Sequence, residues 1–375
     1  MNCKTGIYIG LISGTSMDGI DAALVDCSSG QPVLVAKHGS RYPADLRKRL
    51  DAATRLENPL AENLTALDND IGRAFAQAAN TLLADTHFTA AQITAIGSHG
   101  QTIRHEPDAS VPYSLQIGNP RLISELTGID VIADFRSADI EAGGQGAPLV
   151  PGFHHAVFAS DQESRVVLNI GGIANITVLP DSTASRVTGF DTGPGNTLMD
   201  AWARRELHAP LDQDGQFAAS GNIRQALLQA LLQDEYFSRP PPKSTGPEYF
   251  NLEWLMSRAS ITSLPPQDIQ ATLCELTAAT VAADIYRYAP ATVRLLVCGG
   301  GARNQHLMQR LAANLPGIPV TTTGDYGIDP DWVEAVAFAW LASQRLAGKP
   351  GNLPAVTGAR EAVLLGRLFS HAAVH

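Results

Sequence analysis

Apolar positions along this chain follow two rhythms. Short apolar runs closed by glycine or polar turns predict strands over residues 6–12, 20–26 and 32–38, and again at 93–98 and 131–133. Between them lie stretches with helical spacing. Over 60–84, Leu64, Leu67, Ile71, Phe75 and Ala78 recur at three- and four-residue steps and form one core-facing stripe. Residues 44–56 and 122–127 also read as helices, the second ended by Gly128. A second block opens with strand, glycine turn and strand over 165–179. Helices follow at 196–208, 221–233, 251–258 and 266–288, then a buried strand at 295–298 and helices at 306–315 and 331–346. Strands alternating with helices define an α/β chain. Its 375 residues exceed one ordinary core, so two domains are expected.

The two glycine turns carry the first chemical signal. In LISGTSMDGID (11–21), an apolar strand enters and leaves a turn built from two glycines, two small hydroxyls and an aspartate. Gly14 and Gly19 let the backbone approach an anion, while the hydroxyls of Thr15 and Ser16 and nearby N–H groups can cradle phosphate oxygens. A purely structural hairpin turned by Asp18-Gly19 is the competing reading. The sequence GxxxxGK[ST] is absent, so this is not a P-loop. NIGGIANIT (169–177) repeats the form with little of the sequence. One such hairpin opening each half suggests a duplicated architecture with a nucleotide between the halves. The strand at 295–298 runs into Gly299, Gly300 and Gly301 and then a helix, a common seat for a nucleotide against backbone.

Charge and cysteine usage narrow the class. With 27 Lys and Arg against 37 Asp and Glu, the net charge is −10, which argues against nucleic acid or an anionic membrane as partner. Four scattered cysteines without CxxC spacing fit a reducing compartment. There is neither a signal-peptide pattern nor an apolar run of ~18 residues, so a cytoplasmic protein is expected.

Several polar groups are candidates for chemistry. Asp191 precedes Gly-Pro-Gly and a helix; it reads as a general base at a strand end or as a residue that merely turns the backbone. His99 reads as a base or as a hydrogen-bonded structural residue, the commoner role for a histidine after a strand. Arg136 could clamp an anion in bidentate fashion or pair with Asp134 or Asp139, and Arg104 is a second candidate for an anion contact. Glu334, on the last helix, either points into a polar cleft or faces water. The adjacent His154 and His155 make a poor chelate; the one metal expected is Mg²⁺ carried by ATP, held by its phosphates and water, with Asp18 or Asp191 as candidate protein ligands. The loop at 143–148 is either mobile or tightly turned.

Eight motifs run in order along the chain: GTSMDGID (14–21), SHGQT (98–102), ADFRSADI (133–140), GGQGAPL (143–149), NIGGIANIT (169–177), FDTGPGN (190–196), CGGGARN (298–304) and DWVEA (331–335). Together they resemble the anhydro-N-acetylmuramic acid kinase family. The resemblance implies two duplicated ribonuclease-H-like, actin-like ATPase domains around a central nucleotide cleft, expected here over 1–140 and 141–375. It implies that Gly14, Thr15, Ser16, Met17, Asp18, Gly19, Ile20 and Asp21 form a first ATP-phosphate hairpin. Asn169, Gly171, Gly172 and Asn175 would form the second, and Gly299, Gly300 and Asn304 would adjoin the adenosine. Asp191 becomes the catalytic base, with ATP and ATP-borne Mg²⁺ as cofactors. The implied reaction takes ATP, water and 1,6-anhydro-N-acetylmuramic acid to N-acetylmuramic acid 6-phosphate and ADP in cell-wall recycling. His99, Arg136 and Glu334 are the expected sugar contacts, Arg136 toward a lactyl carboxylate and Glu334 accepting an N–H or O–H bond. The expected partners are the sugar and ATP, with no nucleic acid and no membrane; assembly as a homodimer is left open. Two other classes stand against this reading. One is a chaperone-like or filament-forming ATPase of the same superfamily, and the other is an ATP-binding regulator without turnover.

Overall fold

Each glycine-turn hairpin starts a sheet. The computed structural model describes residues 4–14, 17, 19–60, 62–107, 109–258, 261 and 263–371; the expected ATP residues Thr15, Ser16 and Asp18 lie outside them. The chain divides into two compact units, Met1–Val157 with Trp332–His375, and Phe158–Asp331. The expected division at 140/141 differs in two respects: 141–157 packs with the first unit, and the chain returns to that unit after 331.

In the first unit, β1 (Ile7–Ser13), β2 (Gly19–Asp26) and β3 (Val33–Arg41) form an antiparallel meander. β4 (Ile93–Glu106) runs parallel to β1, carries β5 (Tyr113–Ile117) as a hairpin, and pairs in parallel with β6 (Val131–Ala133). In the second unit, β7 (Arg165–Ile170), β8 (Ile173–Leu179) and β9 (Thr188–Pro194) repeat the meander. β10 (Arg294–Cys298) runs parallel to β7, and β11 (Val320–Thr322) parallel to β10. β12 (Arg367–Phe369) returns to the first unit as an antiparallel edge on β6. The orders β6-β4-β1-β2-β3 and β11-β10-β7-β8-β9 are one topology built twice. The duplication is thus one of architecture, which explains why the two hairpins share form but little sequence.

Central strands are apolar throughout because both faces are covered. β1 buries Tyr8, Ile9, Leu11 and Ile12, and β7 buries Val166, Val167, Leu168 and Ile170. On one side of the first sheet, the helix Thr65–Ala84 packs Ile71, Phe75 and Ala78 into the core, as its stripe predicts. The helix Val333–Leu346 packs against β1 and β4 through a different device. Gly10 and Gly97 are register partners on these strands. A Cβ on Gly10 would stand 1.8 Å from the Ala335 carbonyl oxygen, and one on Gly97 2.1 Å from that of Phe338. These two glycines therefore let helix backbone lie directly on strand backbone, and this seat sets the position of Glu334, the residue before Ala335.

In the second unit, the long helix Pro266–Tyr288 is buried on most of its faces, including Leu273, Leu276, Val281 and Ile285. Among the described residues no helix is long and apolar enough to cross a membrane.

Candidate active-site residues

In the first unit, SHGQT lies inside β4 rather than after it, because the strand continues to Glu106. His99 is consequently held by sheet backbone. Its Nδ1 lies 3.0 Å from the Gly100 carbonyl oxygen, and its Nε2 faces Arg136 Nε at 3.2 Å and Nη2 at 2.9 Å. Arginine offers only donors, so Nε2 must be the acceptor and Nδ1 carries the proton. Burial and the Arg136 charge push the His99 pKa down to about 3, which keeps the ring neutral and able to accept. Phe338, from the glycine-seated helix, packs tilted against the ring, with centroids 4.7 Å apart.

This placement decides between the readings of Arg136. Asp134 binds Arg367 at 3.1 Å and the Ser137 hydroxyl at 2.5 Å. Asp139 is fully buried and accepts from Gly146 N, Asn352 Nδ2 and Thr357 Oγ1 at 2.6–2.8 Å, which pins the 143–148 loop tightly. Both carboxylates are thus engaged elsewhere, and Arg136 is oriented by a neutral histidine. Burial lowers its pKa to about 10, opposed by the Glu334 charge, so it remains a cation at neutral pH. Burial likewise raises the Glu334 carboxyl, and Arg136 pulls it back. The structure thus brings His99, Arg136 and Glu334 together: Arg136 binds His99, and its charge acts on Glu334. Arg104 does not join them: it donates to the Thr54 and Leu56 carbonyls and serves as a strut.

The first hairpin is braced by a residue whose role the sequence left unmarked. Gln101 accepts from the Ser13 hydroxyl at 2.6 Å and donates to the Gly14 carbonyl at 3.3 Å, the carbonyl that also receives Met17 N–H. Met17 adopts a left-handed φ of 51°, so the turn is sharply bent there. Ile20 points into the core, while Asp21 is exposed. Gly19 has a steric reason of its own: a Cβ would stand 2.1 Å from the Ser40 carbonyl oxygen on β3. Its glycine is required by strand packing, whatever it also does for phosphate.

In the second unit three glycine motifs meet. The Gly171 and Gly172 carbonyls accept from Gly195, Asn196 and Thr197 N–H at 2.8–3.0 Å, which locks the second hairpin onto the Gly-Pro-Gly turn. Thr277 of the long helix donates to the Pro194 and Gly195 carbonyls from the other side. Gly299 has φ +79°, and a Cβ there would stand 2.3 Å from Asn169 Oδ1. Asn304 spends its side-chain oxygen capping the helix Gln305–Asn314 through Leu307 N–H at 2.9 Å. Asn175 is the register partner of Asp191. Gly172 and Gly300 differ from the other glycines: each faces open space where a Cβ would sit, and neither has a left-handed φ. The fold itself does not require glycine at these two positions.

Asp191 lies within β9, not at its end. A bulge follows it: Asn175 pairs with Asp191 while Ala174 pairs with Gly193, leaving Thr192 as the extra residue. Thr192 turns its hydroxyl to the Ala174 carbonyl at 3.1 Å. Such a bulge re-aims neighbouring side chains. The outer edge of β9 is covered by a segment that sequence reasoning passed over. Asp191 N–H donates to the Lys243 carbonyl at 3.1 Å, Thr245 N–H donates to the carboxylate at 3.0 Å, and the Tyr236 hydroxyl donates to the Asp191 carbonyl at 2.8 Å. Burial pushes the Asp191 pKa up to about 6, with the Thr245 N–H and the Lys243 charge pulling it down. A half-buried carboxylate whose pKa is raised in this way is suited to taking a proton near neutral pH. Among the described residues no three His, Cys, Asp or Glu side chains converge to hold a metal ion.

Two units of one topology give the protein a two-domain ribonuclease-H-like, actin-like fold. Component A of the (R)-2-hydroxyglutaryl-CoA dehydratase of Acidaminococcus fermentans has this fold, with a TM-score of 0.51 and 14% identity over 92% of this chain and 100% of that chain. The family model of anhydro-N-acetylmuramic acid kinase matches residues 6–371, and the chain belongs to that family. The anhydro-N-acetylmuramic acid kinase of Xylella fastidiosa is 52% identical over 96% of either chain. That of Shewanella frigidimarina is 53% identical over 98% of this chain and 99% of its own. The chaperone or filament alternative is not favoured by this membership.

Proposed function

We propose that this chain opens 1,6-anhydro-N-acetylmuramic acid with water and transfers the γ-phosphoryl group of ATP to O6, releasing N-acetylmuramic acid 6-phosphate and ADP in cell-wall recycling. Family membership supports the substrate and the reaction. The observation that carries the mechanism is Asp191, held at three points on a bulged strand and buried enough to titrate near 6.

The chemistry asks for such a group. In the anhydro sugar O6 is tied to C1, so no 6-hydroxyl is free. Water adds at C1, the C1–O6 bond breaks with its electron pair on O6, and O6 takes the phosphoryl group as ADP leaves. The water's proton goes to Asp191. In the second unit, open space in front of Gly172 and Gly300 leaves room for phosphate and adenosine against backbone, so Asn169, Gly171, Gly172, Asn175, Gly299, Gly300 and Asn304 are proposed as the ATP side. ATP would bring Mg²⁺ on its phosphates, where it neutralises charge on the transferring group. From the first unit, Gly14, Met17, Gly19, Ile20 and Asp21 are proposed as the other phosphate hairpin. His99, Arg136 and Glu334 are proposed on the sugar, with Arg136 meeting the lactyl carboxylate.

The test is a phosphorylation assay with ATP–Mg²⁺ in ¹⁸O-water on anhydro-N-acetylmuramic acid, N-acetylmuramic acid and N-acetylglucosamine. The reading expects transfer to the anhydro sugar with label at C1. Equal transfer to the free 6-hydroxyl of the other two sugars would make this an ordinary hydroxyl kinase.

A further inference from the structure

Lys243 and Asp284 form an ion pair at 3.0 Å in the interior of the second unit, and both side chains are more than nine-tenths buried. Their sequence signals are faint: one lysine after three prolines, and one aspartate late in a helix otherwise rich in alanine. A buried pair of this kind is a poor source of stability, because the desolvation of two ions offsets most of their attraction. Burial raises the Asp284 carboxyl, and Lys243 pulls it back. The ammonium has three donors, yet beyond this pair Nζ has no hydrogen-bond partner among the described residues. Instead it lies 5.1 Å over the Tyr236 ring and 5.7 Å over the Phe190 ring. Phe190 adjoins Asp191 in β9, and the Tyr236 hydroxyl binds the Asp191 carbonyl. The Lys243 carbonyl receives Asp191 N–H, and two residues on, Thr245 N–H reaches the carboxylate. Beyond the Asp284 pair, these contacts of the lysine lead to Asp191, its neighbour Phe190, or Tyr236, which binds it.

We propose that Lys243, tethered by Asp284, is a positioning residue for Asp191: it holds the backbone of the base in place and supplies the positive charge that keeps its carboxylate ionised. This rests on Asp191 being the base. The charged and titratable groups around Asp191 are Lys243 and Tyr236 from the covering segment and Asp284 from the long helix. Arg239 acts on Tyr236, and Arg287 on Asp284. Lys243 is the cation among them that acts directly on Asp191. Loss of its charge leaves burial opposed mainly by one N–H, so the carboxylate holds its proton to higher pH.

The experiment is the pH profile of kcat/KM for wild type, Lys243→Arg, Lys243→Met and the double variant Lys243→Met/Asp284→Leu, with Asp191→Asn as reference. The double variant removes both charges together and so leaves no buried ion unpaired. The proposal expects the acid limb of Lys243→Met and of the folded double variant to move up by about one pH unit, with little change in the KM for ATP. Lys243→Arg should return the limb toward the wild-type position. A folded double variant whose limb stays at the wild-type pH overturns the proposal, as does failure of both methionine variants to fold, which would make the pair structural. Normal turnover in Asp191→Asn would instead remove the base assignment itself.

Discussion

Asp191 and Glu334 are both partly buried carboxylates, one in each unit, yet their surroundings differ in ways that suit them to the different tasks proposed. Glu334 lies in the first turn of a helix seated on Gly10 and Gly97, where burial raises its carboxyl and the charge of Arg136 partly offsets the rise. Asp191 sits on a bulged edge strand, with one N–H on its carboxylate and a more distant lysine. An acid facing a guanidinium is suited to holding and orienting. An acid left just short of full stabilisation is suited to taking a proton. Under the proposed function, the helix seated on one sheet carries a binding carboxylate and the edge strand of the other carries a reactive one, and the difference comes from what surrounds each.

The comparison is broken most severely at the glycine seat. Gly97→Val should place side-chain carbon against the Phe338 carbonyl and cost more than about 3 kcal/mol, since backbone on both sides cannot yield. Urea unfolding followed by circular dichroism should show loss of the first unit's transition; an unchanged curve would mean the helix does not depend on that close approach. Next in size is Arg136→Ala, which should raise the KM for the anhydro sugar by about 1.5–3 kcal/mol while leaving that for ATP nearly unchanged. An analogue lacking the lactyl group is the control. Equal damage with both sugars would show that Arg136 does not read the carboxylate.

The smallest effect is on stability, and its sign is diagnostic. The Asp191 pKa of about 6 in the folded chain lies above its ordinary 3.8, so the folded state holds the proton over that interval while the unfolded state has lost it. Stability from this group is full below about pH 4 and falls as pH rises through 6. Asp191→Asn removes the buried charge and should stabilise the chain by about 1–2 kcal/mol at pH 8, with no gain at pH 4. Equal melting temperatures at pH 8 would mean the carboxylate is not desolvated as the geometry indicates.

Much of this was legible in residue order. Short apolar runs located β1, β2, β3, β7 and β8, and the long helix spans the expected 266–288, whereas no range is predicted for β9. The glycine turns stood out as glycines and small polar residues between apolar runs, and Asp191 as a carboxylate before Gly-Pro-Gly. What escaped did so for physical reasons. β12 is three residues long and pairs with β6 from the far end of the chain, so no local pattern announces it. The bulge at Thr192 depends on register, which a single strand does not encode. Gln101, Lys243 and Asp284 act through partners distant in sequence, and polar residues on strand, loop and helix look ordinary until the fold brings them together. Gly10 and Gly97 read as interruptions in apolar strands; only the helix above them explains their size.

The central claim is that Asp191 is the base and does not itself hold the nucleotide. Its most direct test is one variant read in two ways: calorimetric binding of a non-hydrolysable ATP analogue to Asp191→Asn, and turnover of the same preparation with ATP and the anhydro sugar. The account predicts near-wild-type nucleotide affinity with turnover reduced on the order of 10²–10⁴-fold. Turnover close to wild type, in a variant that binds normally, would contradict it.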